Sequence, residues 1–317
     1  MRVVVALGGN ALLRREERPD AAVQLANVRA AVAALAPLAR EHELVITHGN
    51  GPQVGVLALE SAADRSLSSP YPFDVLGAET QGMIGYWLMQ SLQNALPGRQ
   101  VCALLNQTLI SAADPAFADP AKFVGPVYDR DEAEQLAAER GWTVKQDGTH
   151  WRRVVPSPRP QRIVETRLIR LLLQSGAVAV CAGGGGVPVI RDEQGQLTGV
   201  EAVVDKDLTA ALLAEALDAD ALLLLTDVPH VSLHYGTSDA EPIGRTTPAA
   251  LRAQHFPAGS MGPKVDAVCR FVELTGGTAA IGALQDARAI LDGTVGTVVT
   301  PTGRDLDGHL NAHEDLA

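Results

Sequence analysis

The chain has 317 residues, of which 46% are hydrophobic, and a formal net charge of -11 at pH 7. That length and apolar content suffice for a large buried core in one large or two medium domains, and they exclude a disordered chain. The acidic balance argues against a broad surface for nucleic acid or anionic membrane, which relies on a basic field, so attraction for any anion must be local.

Taken in chain order, the apolar run Val3 to Leu7 predicts a buried strand that ends in the turn Gly8-Gly9-Asn10. Ala21 to Arg40 reads as a helix. Leu44 to Ile46, with Thr47 and His48, predicts a second strand running into Gly49-Asn50-Gly51, so a strand-to-glycine pattern is written twice. A helix over Gly77 to Ala95 and a strand over Val101 to Leu105 follow. From about residue 113 to 160 prolines cluster, and Phe117, Phe123, Tyr128, Trp142 and Trp151 gather in a chain with only 4% aromatics. Asp147-Gly148, between Val144 and Trp151, predicts a tight hairpin there. This segment reads as a small inserted subdomain, either a lid or a surface excursion with its own mini-core.

Beyond it, Gln161 to Gln174 predicts a helix and Ala177 to Ala182 a strand that runs into Gly183-Gly184-Gly185-Gly186. Helices at Leu208 to Leu217 and Val265 to Leu274 alternate with strands at Ala221 to Thr226, Ala279 to Ala283 and Val295 to Thr300. Apolar strands alternating with Ala- and Leu-rich helices define an α/β fold with a parallel sheet, and ligand loops are expected along its carboxyl edge.

Cys102, Cys181 and Cys269 are far apart and odd in number, which implies neither a disulfide framework nor a zinc site. Arg2 is followed by too short an apolar stretch for a signal peptide, and no apolar run approaches a membrane span. A soluble cytoplasmic protein is expected.

Glycine turns let backbone N–H groups converge on an anion without meeting a Cβ, and phosphate is the anion they suit best. Two lysines strengthen that reading. Lys206, in Asp205-Lys206-Asp207, stands where a helix begins, with Asp207 placed to serve as the N-cap. Lys264, in Gly259-Ser260-Met261-Gly262-Pro263-Lys264, lies in another first turn, with Pro263 suited to the first helical position. A lysine at a helix N-terminus opposes the macrodipole, and a bound anion reverses that cost. The four glycines at 183 to 186 meet the needs of either a sharp turn or a ligand contact, and Thr226-Asp227-Val228 either faces a ligand or simply turns the chain. No Walker phosphate loop, dinucleotide fingerprint, nucleophile elbow or zincin motif occurs, and no metal site is expected from the scattered histidines, of which only His230 and His234 are close.

Several ordered blocks together resemble one family: Val4 to Leu12, Thr47 to Gly55, Gln81 to Trp87, Arg152 to Pro158, Ala182 to Gly186 and Gly259 to Lys264. The chain is similar over nearly its whole length to the carbamate kinases of the amino acid kinase superfamily. The resemblance implies an open three-layer α/β/α sandwich with a mainly parallel central sheet and a small inserted subdomain. It also implies an N-terminal lobe, 1–200, holding the phosphoryl acceptor with a lid-like insert at about 113–160, and a C-terminal nucleotide lobe, 201–317. The implied reaction is reversible phosphoryl transfer between Mg-ATP and carbamate, giving ADP and carbamoyl phosphate, by a homodimer and commonly run toward ATP in arginine or agmatine breakdown.

Carried over residue by residue, Gly8, Gly9 and Asn10 would meet the transferring phosphoryl, and Gly49, Asn50 and Gly51 the carbamoyl group. Lys206 and Lys264 would neutralise phosphates, Asp207 would orient them, and Lys122 would come from the lid. Gly184 and Gly185 fall in the substrate region, while Thr226, Asp227, Val228, Ser260, Met261 and Gly262 fall to the nucleotide. Mg²⁺ is expected with the nucleotide. Ala6 departs from the wider superfamily, where many relatives carry a lysine, and Lys122 is the candidate to supply that cation. A different small acceptor, or a non-catalytic sensor with the same pocket, are the competing readings.

Overall fold

The side chains of the first apolar run alternate between two cores, Val3, Val5 and Leu7 entering one and Val4 and Ala6 the other, so this strand is buried on both faces. The protein's structure, a computed structural model, describes residues 1–14, 16–257 and 259–302. The side chain of Asn10 and the last residues of the expected C-terminal lobe, 303–317, lie outside the described residues.

In chain order the main sheet contains β1 (Arg2–Leu7), β2 (Glu43–His48), β3 (Val101–Ala103), β4 (Val178–Val180), β5 (Ala221–Thr226), β6 (Arg245–Thr246), β7 (Thr278–Ala283) and β8 (Thr297–Val299). They lie in the order β6-β8-β7-β5-β1-β2-β4-β3, with β1 between β2 and β5. All neighbours run parallel except β7 and β8, which are antiparallel, so the sheet is mainly rather than wholly parallel. Of the eight, only the two-residue β6 escapes sequence reading, since it is too short to show a hydrophobic period.

The helices are α1 (Ala21–Glu41), α2 (Gly51–Ala63), α3 (Phe73–Ala95), α4 (Arg130–Arg140), α5 (Thr166–Gln174), α6 (Lys206–Ala216), α7 (Pro248–Arg252), α8 (Met261–Thr275) and α9 (Ala287–Leu291). Leu35 of α1, Ile84 and Leu88 of α3 and Ile290 of α9 fill one core. Ile169 of α5, Leu213 of α6 and Phe271 of α8 fill the other, which makes the sandwich three-layered. By length and composition α1 could cross a bilayer, contrary to the expectation that no segment could. In the fold it is a core helix, with Val28, Val32, Leu35 and Leu38 buried beneath it.

Three local expectations are corrected. The helix expected from Gln161 starts at Thr166, because Arg162–Ile163 instead pairs antiparallel with Gln107–Leu109. Helix α2 was not anticipated; its start lies inside the second glycine turn, and Pro52 in its first turn needs no helical N–H partner. The segment from 113 to 160 holds a separate three-stranded sheet, Lys122–Tyr128, His150–Val155 and Thr143–Asp147, together with α4.

The expected hairpin is present: Asp147 pairs with His150 across a turn in which Gly148 has φ +63°. Two of its buried apolar residues do not belong to a private core. Val124 and Val155 share one with Val54 of α2 and with Phe73 and Leu76 of α3. Arg153 secures the same junction, its guanidinium 4.6 Å from the Trp142 ring centre and 4.9 Å from that of Phe73, with an ion pair to Glu201. Because the left-handed turn at Gly148 has open space around it, Gly148→Ala adds backbone strain alone. A loss of about 1 kcal/mol is expected in urea unfolding.

Candidate active site

The glycine turns meet at the carboxyl ends of β1, β2, β4 and β5, and backbone bonds knit them together. Gly8 N donates to Leu225 O at 2.8 Å, and Gly49 N donates to Leu7 O at 2.9 Å. A Cβ on Gly8 would lie 3.2 Å from Leu225 O and 3.9 Å from Thr226 Oγ1. One on Gly49 would lie 3.0 Å from Gly9 N and 3.3 Å from Lys206 Cδ. The two opening turns, Thr226 and the stem of Lys206 therefore form one surface. Gly51 starts α2 on the exposed side of it.

Each of the four glycines after β4 has its own reason to lack a side chain. A Cβ on Gly183 would fall 2.3 Å from His48 Nε2, on Gly184 2.2 Å from Asn50 Nδ2, on Gly185 2.4 Å from Val204 O, and on Gly186 2.1 Å from Thr108 Oγ1. Buried polar side chains and a carbonyl are thus seated against the bare backbone of this turn. Thr108 and Thr209 both donate to Gly185 O, at 2.7 and 3.1 Å. Asn106 accepts from Ala182 N at 3.0 Å, and Gln81 Oε1 accepts from Asn106 N at 2.9 Å.

Charge is concentrated where α6 and α8 begin. Asp207, 4% exposed, accepts from Lys206 Nζ at 2.5 Å through Oδ1 and from Lys264 Nζ at 2.8 Å through Oδ2. Burial works against the Asp207 charge, yet the two ammonium groups hold the carboxyl well below its ordinary range. Burial, followed by the charge of Lys264, lowers Lys206 against the opposing pull of Asp207. Lys264 also meets a burial penalty, but Asp207 outweighs it and raises that ammonium.

Asp207 is not the cap of α6. That role belongs to Asp205, whose Oδ1 accepts from Asp207 N at 2.9 Å and Leu208 N at 3.3 Å, so the helix begins at Lys206. Oδ2 of Asp205 is held by Lys122 at 3.1 Å. The insert's lysine stands beside the Lys206–Asp207–Lys264 group rather than within it. Pro263 falls at the third position of α8, not the first, where its missing N–H is still among those without a helical partner.

The other predicted residues lie around this centre. Thr226 donates to Asp227 Oδ1 at 3.0 Å, and Val228 follows in a half-buried loop. Gly262 N donates to Pro257 O at 2.9 Å, Met261 packs against the core beside α8, and Ser260 precedes the helix without a side-chain cap. Among the described residues no group of three His, Cys, Asp or Glu side chains could hold a metal.

Sequence reading missed Asp205, His48 and Thr80. His48 was legible only as a strand end, and Asp205 was hidden by the better-placed Asp207. Thr80 and Gln81 carried a signal in being polar on the buried face of α3. The His48 ring is 1% exposed, and Nδ1 lies 3.0 Å from Gly49 O, so that nitrogen carries the proton. Burial, opposed by that carbonyl and reinforced by the Lys206 charge, lowers its pKa to about 4. The ring is neutral near pH 7.

The model of the amino acid kinase family matches residues 1–282. The chain belongs to that family. It is 51% identical over 313 residues to the carbamate kinase of Rhizobium meliloti, covering 98% of this chain and 96% of that one. With the carbamate kinase of Haemophilus influenzae it shares 50% identity over 301 residues, covering 95% and 97%. The structure of Giardia lamblia carbamate kinase bound to AMP-PNP superposes with a TM-score of 0.86 at 38% identity, covering 94% of this chain and 98% of the other. Within the amino acid kinases the chain belongs to the carbamate kinases.

Two outcomes are expected from the charge arrangement. Asp207→Asn leaves two buried ammonium groups without their carboxylate, and should cost about 3–5 kcal/mol in chemical denaturation. His48 binds a proton more weakly folded than unfolded, so the unfolded state gains protons as pH falls from about 6.5 toward 4 and stability drops. Between pH 7 and 4.5 this one ring should account for about 2 kcal/mol, and His48→Gln should remove that part of the acid sensitivity in paired urea titrations.

Proposed function

We propose that this carbamate kinase transfers a phosphoryl group reversibly between ATP and carbamate, giving ADP and carbamoyl phosphate, at the surface formed by the glycine turns and the α6 and α8 starts. The observation that carries the assignment of residues is Asp207 gripping Lys206 and Lys264 where Lys206 and Gly9 both lie against Gly49. Phosphoryl transfer needs charge stabilisation more than covalent help. Lys206 and Lys264 spread positive charge over the moving phosphoryl and the nucleotide phosphates, and the backbone N–H of Gly9 adds to it, that of Gly8 being spent on Leu225 O. The carbamate oxygen is already anionic, so no general base is required. This agrees with a neutral His48 turned to its own backbone.

Residues 1–200 then supply the acceptor side, with Gly49, Asn50 and Gly51 around the carbamoyl group and Gly184 behind them. Residues 201–317 supply the nucleotide side, with Thr226, Asp227, Val228, Ser260, Met261 and Gly262 along it. The eight-stranded sheet runs through both halves, which gives the two sides a common floor. Lys122, carried by the insert, reaches the acceptor side from Asp205 and supplies the cation that Ala6 does not. Mg²⁺ arrives with the nucleotide: both oxygens of Asp205 and of Asp207 are already engaged by N–H groups, which leaves those carboxylates unsuited to a metal.

We place the enzyme in the cytoplasm as a homodimer with neither nucleic acid nor membrane as partner, working toward ATP in arginine or agmatine breakdown. Exposed Tyr86 on α3, Leu105 after β3, and Leu168 and Leu171 on α5 offer apolar surface for that pairing at one edge of the sandwich. Incubation with carbamoyl phosphate, ADP and Mg²⁺ should yield ATP, with Lys264→Ala reduced at least a hundredfold; no ATP above that variant would refute the reading. Lys122→Ala should lower kcat more than it weakens ADP binding, and equal losses would remove Lys122 from the acceptor side.

A further inference from the structure

Asn50 occupies the N-cap position of α2, where an asparagine ordinarily caps its own helix, yet its side chain makes no such bond. Its amide instead lies against the bare Cα of Gly184 and reaches α3, where Nδ2 donates to Thr80 Oγ1 at 2.8 Å. The Thr80 hydroxyl spends its single proton on Gly77 O, also at 2.8 Å, so its oxygen is left to accept. That assignment fixes the amide: the NH2 end faces Thr80 and the carbonyl end faces away. Among the described residues no donor reaches Asn50 Oδ1, and this oxygen is not one of the sealed, unpartnered polar atoms. Asn50 is flanked by Gly49, which abuts Gly9 and Lys206, so its open oxygen belongs to the acceptor side of the site.

We propose that Thr80 is a specificity-positioning residue: it holds Asn50 Oδ1 toward the acceptor pocket as a hydrogen-bond acceptor for the amino group of carbamate. The inference rests on the function proposed above. The amino group of carbamoyl phosphate donates hydrogen bonds, whereas the methyl group of its isostere acetyl phosphate cannot. A fixed acceptor therefore favours the first and is left unpaired by the second, the asymmetry by which a polar site rejects an analogue lacking its partner group. Thr80 is fully buried and touches no substrate in this scheme; it acts through Asn50.

The test compares kcat/KM for carbamoyl phosphate with the inhibition constant of acetyl phosphate in Thr80→Val, Thr80→Ala and Thr80→Ser, alongside the unaltered enzyme and with melting temperatures for each. Removing the hydroxyl frees the amide to turn its NH2 toward the substrate amino group. Thr80→Val and Thr80→Ala should lose about tenfold to a hundredfold in kcat/KM for carbamoyl phosphate, with the acetyl phosphate constant changed less than about threefold, and Thr80→Ser should retain the discrimination. Equal weakening toward both compounds, no change toward either, or failure of Thr80→Ser to preserve selectivity while still folded would overturn the inference. If the unaltered enzyme forms no ATP from carbamoyl phosphate, the proposed function itself fails, which is a distinct result.

Discussion

Asp207 holds two ammonium groups that would otherwise repel each other, and much of the site follows from that grip. The carboxylate is the member the group depends on: without it two buried ammonium groups are left unpaired, whereas loss of one lysine still leaves a neutral pair. The arrangement fixes the spacing of the starts of α6 and α8, because Lys206 and Lys264 belong to different helices and meet on one side chain. It also leaves a net positive charge at the sheet edge in a chain whose total is strongly negative. Attraction for phosphate is thus confined to one place, and the rest of the surface repels polyanions.

A second constraint comes from the glycines. Sequence reading treats a glycine run as freedom for a ligand to approach, yet at Gly8 and Gly49 the missing Cβ makes room for neighbouring backbone, Leu225 O and Gly9 N. At residues 183 to 186 the space is taken by the protein's own His48, Asn50, Val204 and Thr108. The turn is a seat for buried polar groups, and its glycines are required before any ligand binds. The side chains it seats come from β2, from the start of α2 and from the strand Gln107–Leu109, so one turn sets the relative placement of three elements.

The fold was legible because its strands are buried on both faces and therefore read as unbroken apolar runs with glycine at their ends. What escaped did so for identifiable reasons. β6 is two residues long, α2 begins inside a glycine turn, and α4 is a polar surface helix in a segment marked by its aromatics. Lys206 and Lys264 stood out because their charge opposes the helix dipole, a local contradiction visible without coordinates. Asp205 did not stand out, since either aspartate of Asp205-Lys206-Asp207 could cap a helix and only the position of the first turn decides between them. Thr80, His48 and the Arg153–Glu201 pair depend on contacts between residues distant in the chain, which no local pattern encodes.

The place of β1 at the centre of the sheet bears on how the chain is made. Of the eight strands this one is made before the rest, and β2 follows it within fifty residues, but its other neighbour, β5, begins at Ala221. Until β5 has been synthesised, one edge of a strand that is apolar from Val3 to Leu7 has no partner, and the closing contact spans over two hundred residues. Such a long-range parallel pairing is slow to form and exposes an adhesive edge while it waits. The architecture that brings the glycine turns together thus leaves the nascent chain reliant on protection from other chains until its second half emerges.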